Sequence, residues 1–155
     1  MSAKVSEKAP PFSLPEAPGQ MVDVGAEFGS APVVLLFFPL AFSPVCTTEF
    51  CTIRDGWSNW SELKAKVFGI SIDSPFVAQK FKQQENLPFP LLSDFNKEVA
   101  AQYGALHEDL MGLKGVAKRS AFVIDLNGDI AYAWVSDDPG VQIDFDAVKA
   151  AVEGC

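Results

Sequence analysis

Cysteine and histidine are scarce in this chain of 155 residues, which contains three cysteines and one histidine. So few cysteines cannot build the disulfide framework of a small secreted domain, and they are too scattered for a zinc-ligand cluster. The chain also lacks a glycine-rich phosphate-binding loop and a Cys-x-x-Cys redox pair. We therefore expect no bound metal and no cofactor.

Basic residues are outnumbered as well, with 12 Lys and Arg against 20 Asp and Glu and a net charge of −8. Such a charge repels phosphate backbones and anionic lipids, and no basic stripe offsets it. The longest apolar run, Ala31 to Phe42, spans only about a dozen residues, whereas a membrane helix needs about 20. Met1 to Lys8 shows no signal-peptide pattern. We expect a cytoplasmic protein that binds neither nucleic acid nor membranes.

The remaining composition is that of an ordinary globular chain, with 48% hydrophobic residues, 11 Gly and 11 Pro. A domain of this length buries roughly 70% of the surface that its unfolded chain exposes, which is enough for a stable core. We expect residues 1–155 to form a single domain. The proline-rich residues 1–20 predict an extended lead-in with turns.

Short β-branched and aromatic runs alternate with capped, helix-compatible segments along the rest of the chain. The patterns predict strands at 32–38, 66–72, 89–92, 120–125 and 130–135, helices at 44–60, 76–84, 96–103 and 144–153, and a loop at 105–118. Asn127-Gly128 predicts a hairpin between the last two strands. A parallel pair with crossover helices, extended by an antiparallel hairpin, is typical of a thioredoxin-like three-layer α/β sandwich with a mixed central sheet.

Cys46 lies at the predicted start of a helix, with Ser43 as N-cap, Pro44 at the first position and Cys46 at the third. Unpaired backbone N–H groups converge there and the helix dipole is positive, so the thiolate is favoured over the thiol. The Ser43 hydroxyl can reach the N–H or the sulfur of Cys46. An inert packing role is the alternative, because free cysteine is among the residues most often buried.

The run Pro39-Leu-Ala-Phe-Ser43-Pro-Val-Cys46 resembles the peroxiredoxin active-site pattern of proline, three residues, threonine or serine, two residues and cysteine. It follows a buried strand and opens a helix, as in that family. Ser43 stands where many members have threonine, and both side chains supply a hydroxyl donor and acceptor.

The resemblance extends over nearly the whole chain, from Ala9-Pro-Pro-Phe-Ser-Leu14 to the last helix. Residues 37–42 are similar to the bacterial single-cysteine alkyl hydroperoxidase branch. The spacing Cys46-Thr-Thr-Glu-Phe-Cys51 is instead similar to the bacterioferritin-comigratory-protein branch. Arg119-Ser-Ala-Phe-Val-Ile-Asp125 matches the strand that carries the arginine of the family.

This resemblance implies a thiol peroxidase in which Cys46 attacks hydrogen peroxide or an organic hydroperoxide and becomes a sulfenic acid. Arg119 would hold the sulfur and the peroxide oxygens, Ser43 and the backbone N–H of Cys46 would add donors, and Pro39 would exclude water. Glu49 would orient Arg119. The alternatives are a solvated carboxylate for Glu49 and a charged strand entrance without a role for Arg119.

Cys51 is implied as the resolving thiol, with thioredoxin or a similar dithiol as the reductant; its alternative is a packing role beside Phe50 and Ile53. Five residues along a helix give a rise of about 7.5 Å and a rotation of about 140°, so a Cys46–Cys51 disulfide requires the first turns to melt. Cys155 could resolve Cys46 of a neighbouring subunit or be an incidental thiol. The resemblance implies a monomer or homodimer.

Two other functions would use the same cysteine. A redox sensor or holdase would change shape on oxidation without multiple turnovers, and a disulfide exchanger would act without a peroxide, although the missing Cys-x-x-Cys pair argues against it. We also expect Phe42, close to Cys46 in sequence, to line an apolar mouth suited to organic hydroperoxides.

Overall fold

The computed structural model describes residues 4–155. Its strands are β1 (Ser13–Ala17), β2 (Gln20–Asp23), β3 (Val33–Phe37), β4 (Lys66–Ser71), β5 (Leu91–Ser93), β6 (Ser120–Ile124) and β7 (Ile130–Val135). Its helices are α1 (Pro44–Asp55), α2 (Trp57–Glu62), α3 (Pro75–Glu85), α4 (Glu98–Gln102) and α5 (Phe145–Glu153). Among these residues, no helix combines the length and apolar character that crossing a bilayer requires.

The central sheet has five strands in the order β5-β4-β3-β6-β7. Strands β3, β4 and β5 run parallel, whereas β6 pairs antiparallel with β3 and β7 antiparallel with β6. Gly128 adopts a φ of 80° in the tight turn between β6 and β7, a conformation that glycine adopts without strain. The predicted mixed sheet and the hairpin at Asn127-Gly128 are therefore confirmed.

Strand β3 lies in the middle of the sheet, and all five of its residues are buried. Its alternate side chains serve two cores: Val34 and Leu36 pack with residues of α1, α2, α3 and α5, whereas Leu35 and Phe37 pack with residues of α4 and the β1–β2 hairpin. Because both faces are covered, β3 reads as a continuous apolar run. The three-layer arrangement is confirmed.

The N-terminal region differs from the prediction of an extended lead-in. Residues 13–17 and 20–23 pair as an antiparallel hairpin that the proline-rich sequence concealed. The register shifts between Pro15 and Ala17, and a shifted register is one of the places where a strand accommodates proline. Residues 1–3 of the predicted lead-in lie outside the described range.

The long helix predicted for residues 44–60 is also wrong in one respect, because it is interrupted at Gly56. This residue has φ −100° and ψ 19°, which ends α1 at Asp55 and lets α2 begin at Trp57. The predicted helix at 96–103 is shorter than expected, since Lys97 has a φ of 66° just before α4.

The loop between β3 and α1 is held in place by the loop that follows β4. Asp73 accepts a hydrogen bond from the backbone N–H of Ala41 (2.8 Å) and another from the hydroxyl of Ser71 (2.7 Å). Phe42 then turns the chain with a φ of 68°. The start of α1 is thereby fixed at the carboxyl end of the sheet.

Gly69 of β4 lies between Leu91 of β5 and Phe50 of α1. A Cβ atom there would lie 2.5 Å from Leu91 Cδ2 and 3.0 Å from Phe50 Cε2, and both neighbours are buried. We expect Gly69→Ala to lower the free energy of unfolding by about 1–3 kcal/mol through overpacking. Urea denaturation measures this change.

Gly154→Ala is the matched control, because its nearest neighbours would be 3.6 Å away at the end of α5. This variant should change stability by less than about 0.5 kcal/mol. Equal stabilities for the two variants would contradict the close packing of α1 on β4.

Candidate active site

Cys46 is the third residue of α1, which begins with Ser43 as N-cap and Pro44 at the first position, as predicted. Its side chain has no exposed surface and belongs to the core cluster that includes Phe38 and Phe50. The first N–H groups of the helix lack intrahelical partners and point toward this end. The sulfur therefore lies in an apolar environment that is positive on its helix side.

Arg119, just before β6, brings a positive charge to the same place. Its Nη2 donates a hydrogen bond to Cys46 Sγ at 3.0 Å, and its Nη1 donates to Glu49 Oε2 at 3.3 Å. The side chains of Arg119 and Glu49 are 1% and 0% exposed. The guanidinium thus joins the sulfur to a carboxylate one helical turn away, out of contact with water.

Glu49 is held from two sides, because its Oε1 accepts a hydrogen bond from the backbone N–H of Ile143 at 3.0 Å. Burial raises the pKa of Glu49, while the charge of Arg119 and the Ile143 N–H limit the rise. Glu49 is therefore not the solvated helix carboxylate that was its alternative. Its contacts suit a residue that fixes the orientation of the arginine.

Two further donors of Arg119 are used by the segment between β7 and α5. The carbonyl of Pro139 accepts hydrogen bonds from Nε at 3.2 Å and from Nη2 at 3.0 Å. Sequence reasoning missed both Pro139 and Ile143, because they act through backbone atoms that any residue type could supply. The turn signal of Pro139-Gly140 is the one local hint that the chain bends there.

The hydroxyl of Ser43 differs from the prediction. It accepts no capping hydrogen bond from the helix and instead donates to the carbonyl of Leu40 at 2.7 Å. The carbonyl of Ser43 accepts from both the backbone N–H and the hydroxyl of Thr47, at 3.0 and 2.9 Å. Ser43 therefore stabilises the loop before α1 rather than capping the helix with its side chain.

A cavity of about 240 Å³ opens next to this cluster. Its lining is largely apolar and combines the loop before α1, the start of α1, the 105–118 loop and the β7–α5 segment, through Pro39, Leu40, Ser43, Pro44, Val45, Leu110, Met111, Arg119, Pro139 and Gly140. Pro39 and Ser43, both predicted site residues, thus line the same cavity as Arg119. The cavity offers a path to the buried guanidinium.

Phe42 does not line this cavity, which corrects the expectation from its place in the sequence. Its ring packs on Phe81 of α3 with centroids 5.0 Å apart, and it borders a shallow depression on the other side of α1. Leu110 and Met111 contribute to the apolar lining instead. They lie 64 and 65 positions after Cys46, and no sequence pattern predicted that their loop would reach this cavity.

Cys51 lies apart from the cluster. It is partly exposed and borders the same shallow depression as Phe42, whereas Cys46 is buried. Its thiol donates to Glu85 Oε1 at 3.3 Å. All three cysteines are free thiols, and Cys155 is exposed near the end of α5. Within the described residues, no group of three His, Cys, Asp or Glu side chains is arranged to hold a metal ion.

Comparisons with known proteins extend these observations. Residues 5–133 match the model of the AhpC/TSA family. A putative peroxiredoxin bcp from Coxiella burnetii is 41% identical over 147 residues, which cover 93% of each chain. Peroxiredoxin Bcp from Escherichia coli is 35% identical over 134 residues, covering 84% of this chain and 85% of the relative.

The fold is similar to that of solved structures over almost its full length. The crystal structure of peroxidoxin BcpB from Mycobacterium tuberculosis aligns with a TM-score of 0.85 and 32% identity, covering 98% of this chain and 97% of that chain. The predicted thioredoxin-like class, with its mixed sheet flanked by helices, is confirmed.

His107 lies in the same 105–118 loop as Leu110 and Met111. Its side chain is 7% exposed, and its Nε2 has no hydrogen-bond partner among the described residues. Burial lowers the pKa of His107, and Lys118 lowers it further while Asp137 opposes the shift. Lys118 and Asp137 also pair with each other at 2.6 Å.

The unfolded chain therefore binds a proton at His107 at higher pH than the folded chain does. We expect stability to be lost as pH falls below 6.5, the ordinary value, toward the lowered folded-state pKa. The measurement is the free energy of unfolding of the wild type minus that of His107→Leu, taken between about pH 8 and about pH 5.

The subtraction matters because Glu49 and Asp94, whose pKa values burial raises, titrate with the opposite effect in both proteins. The difference should decrease toward acid pH. A difference that is flat over the whole range would show that His107 is not held neutral.

Proposed function

The chain belongs to the AhpC/TSA family and is a peroxiredoxin, and from this premise we propose that it reduces hydrogen peroxide and organic hydroperoxides through Cys46. The observation that carries the proposal is the 3.0 Å contact between Arg119 Nη2 and Cys46 Sγ in a buried cluster beside an apolar cavity. A charged donor in contact with a sulfur favours its anionic, nucleophilic form.

In the first step, the thiolate of Cys46 attacks the terminal oxygen of the hydroperoxide. An S–O bond forms, the O–O bond breaks, and the departing oxygen takes a proton from solvent to give an alcohol or water. Cys46 is oxidised to a sulfenic acid and the peroxide is reduced. This displacement requires stabilisation of the negative charge that develops on the departing oxygen.

Arg119 is the proposed source of that stabilisation. It borders the cavity and already contacts the sulfur, so a peroxide that enters beside Pro39 meets both groups together. The backbone N–H of Cys46 adds a donor at the positive end of α1. Ser43 would add a second donor only if its hydroxyl turned from the carbonyl of Leu40. Glu49 positions Arg119 and does not touch the substrate.

The second step uses Cys51 as the resolving thiol. Its sulfur attacks the sulfenic sulfur, an S–S bond forms, and the hydroxyl leaves with a proton as water. Cys46 and Cys51 are five residues apart on an intact helix and face different environments, so α1 must unwind before they meet. A thioredoxin-like dithiol then reduces the disulfide, and no cofactor takes part.

The apolar lining supports organic hydroperoxides as substrates alongside hydrogen peroxide. Leu40, Val45, Leu110 and Met111 surround the approach to Arg119, and they would bury an alkyl group. Hydrogen peroxide is small enough to use the same path.

Mass spectrometry after one equivalent of hydrogen peroxide tests the roles of the two cysteines. We expect the wild type to form a Cys46–Cys51 disulfide and Cys51→Ser to retain a sulfenic acid on Cys46 that a dimedone-type probe traps. Circular dichroism of the oxidised wild type should show a loss of helical signal corresponding to α1, which Cys51→Ser should not show.

Cys155→Ser is the matched control, because it removes the exposed thiol and leaves the proposed pair intact. It should behave as the wild type does. Peroxide consumption at the wild-type rate by Cys46→Ser would refute the proposal for Cys46. A Cys46–Cys155 disulfide between subunits would refute the one for Cys51.

A further inference from the structure

The thiol of Cys51 does not point freely into solvent, because it is hydrogen-bonded to a residue at the end of α3. Its Sγ donates to Oε1 of Glu85, the last residue of α3, at 3.3 Å. This contact joins residues 34 positions apart in the sequence. A partly exposed thiol on a surface helix does not need such a partner for its solvation, so the contact constrains where the sulfur lies.

Arg54 reinforces the same junction one turn further along α1. Its Nη1 donates to the backbone carbonyl of Glu85 at 2.7 Å and lies 3.8 Å from Glu85 Oε1. The last carbonyls of a helix lack intrahelical partners, so an arginine is a favourable neighbour at the end of α3. Cys51 and Arg54 together bind the second half of α1 to a single residue of α3.

The negative charge of Glu85 and its hydrogen bond to the thiol shift the pKa of Cys51 in the same direction. Burial raises the pKa of the Cys51 thiol, and the hydrogen bond to Glu85 and the negative charges of Glu85 and Asp55 raise it further, while the charge of Arg54 lowers it. The attacking species in disulfide formation is the thiolate. The environment of Cys51 on the intact helix therefore favours the form that does not attack.

We propose that Glu85 is a positioning residue that delays resolution, because it holds Cys51 on the intact α1 helix and away from the oxidised Cys46. This inference rests on the proposed role of Cys51. Unwinding of α1 breaks the contacts of both Cys51 and Arg54 with Glu85, so these contacts favour the closed helix. The delay lengthens the lifetime of the Cys46 sulfenic acid and gives a second peroxide time to oxidise it further.

Glu85→Gln tests the proposal with little change in shape. It removes the negative charge and its ion pair with Arg54, and it replaces the carboxylate that accepts from the thiol with a weaker amide acceptor. The backbone carbonyl that accepts from Arg54 is left in place. After one equivalent of peroxide, the unimolecular rate of Cys46–Cys51 disulfide formation should rise roughly two- to fivefold, a range suited to a partly exposed charge. The bimolecular rate of sulfenic acid formation should not change.

Two further readouts separate a specific effect from a general loosening of the fold. The rise of the resolution rate with pH should begin at lower pH in Glu85→Gln, because the thiol ionises more easily without the neighbouring carboxylate. The fraction of Cys46 over-oxidised at excess peroxide should fall. Glu62→Gln, the same change at an exposed position at the end of α2, should match the wild type in every measurement.

The outcomes distinguish the two proposals. A wild type that forms the Cys46–Cys51 disulfide, together with a Glu85→Gln variant whose resolution rate and pH profile are unchanged, would overturn the role of Glu85 alone. A wild type that forms no such disulfide would overturn the role of Cys51 and, with it, this inference.

Discussion

Arg119 carries a positive charge into a part of the protein with almost no access to water, since its side chain is 1% exposed. Burying such a charge is costly unless it is paired and its hydrogen-bond donors are satisfied. Glu49, the carbonyl of Pro139 and the sulfur of Cys46 supply the partners, from α1 and from the segment before α5. The sulfur of Cys46 is thus one of the groups that make a buried arginine possible.

This arrangement links stability to chemistry. Removing one member of a buried pair leaves the other charge uncompensated. A change at Glu49 would therefore affect Cys46 through Arg119, which contacts both residues. The Ile143 N–H donates to one oxygen of the Glu49 carboxylate, and Arg119 donates to the other. The position of the guanidinium therefore depends on where the chain turns between β7 and α5. The sheet contributes by fixing β3 and β6 side by side, which places the start of α1 opposite Arg119.

The two cysteines of α1 share a helix but not an environment. Cys46 is buried against a cation, whereas Cys51 is partly exposed against the carboxylate of Glu85. In the second environment, burial and the hydrogen bond to Glu85 raise the pKa of the Cys51 thiol. In the proposed mechanism, Cys46 reacts on the intact helix and Cys51 becomes available after α1 unwinds.

The structural features that the sequence predicted are local ones. The apolar run of β3, the Ser43-Pro44 start of α1 and the Asn127-Gly128 turn depend on neighbouring residues, so their patterns were sufficient. The resemblance to a family supplied the pairing of Arg119 with Cys46, which lies 73 positions away and has no local signal.

Contacts formed through backbone atoms or between distant elements were beyond sequence reasoning. Pro139 and Ile143 act through main-chain groups, and Glu85 meets Cys51 only because α3 packs beside α1. Phe42 was expected to line the apolar mouth, but its ring packs on Phe81 of α3 instead. The hydroxyl of Ser43 donates to the carbonyl of Leu40 and accepts no hydrogen bond from the first N–H groups of the helix.

The central claim, that the buried arginine makes Cys46 reactive, is tested most directly by the bimolecular rate of its oxidation in a Glu49→Gln/Arg119→Met double variant. Replacing both charges together avoids leaving either one buried and unpaired, so the fold should survive. Lys118→Met removes the neighbouring positive charge as a control. We predict a fall of about 10²–10³-fold for the double variant, as for the loss of a charge-stabilising donor, and little change for the control. A rate within a few-fold of the wild type in the double variant would contradict the account and assign the reactivity of Cys46 to the helix terminus alone.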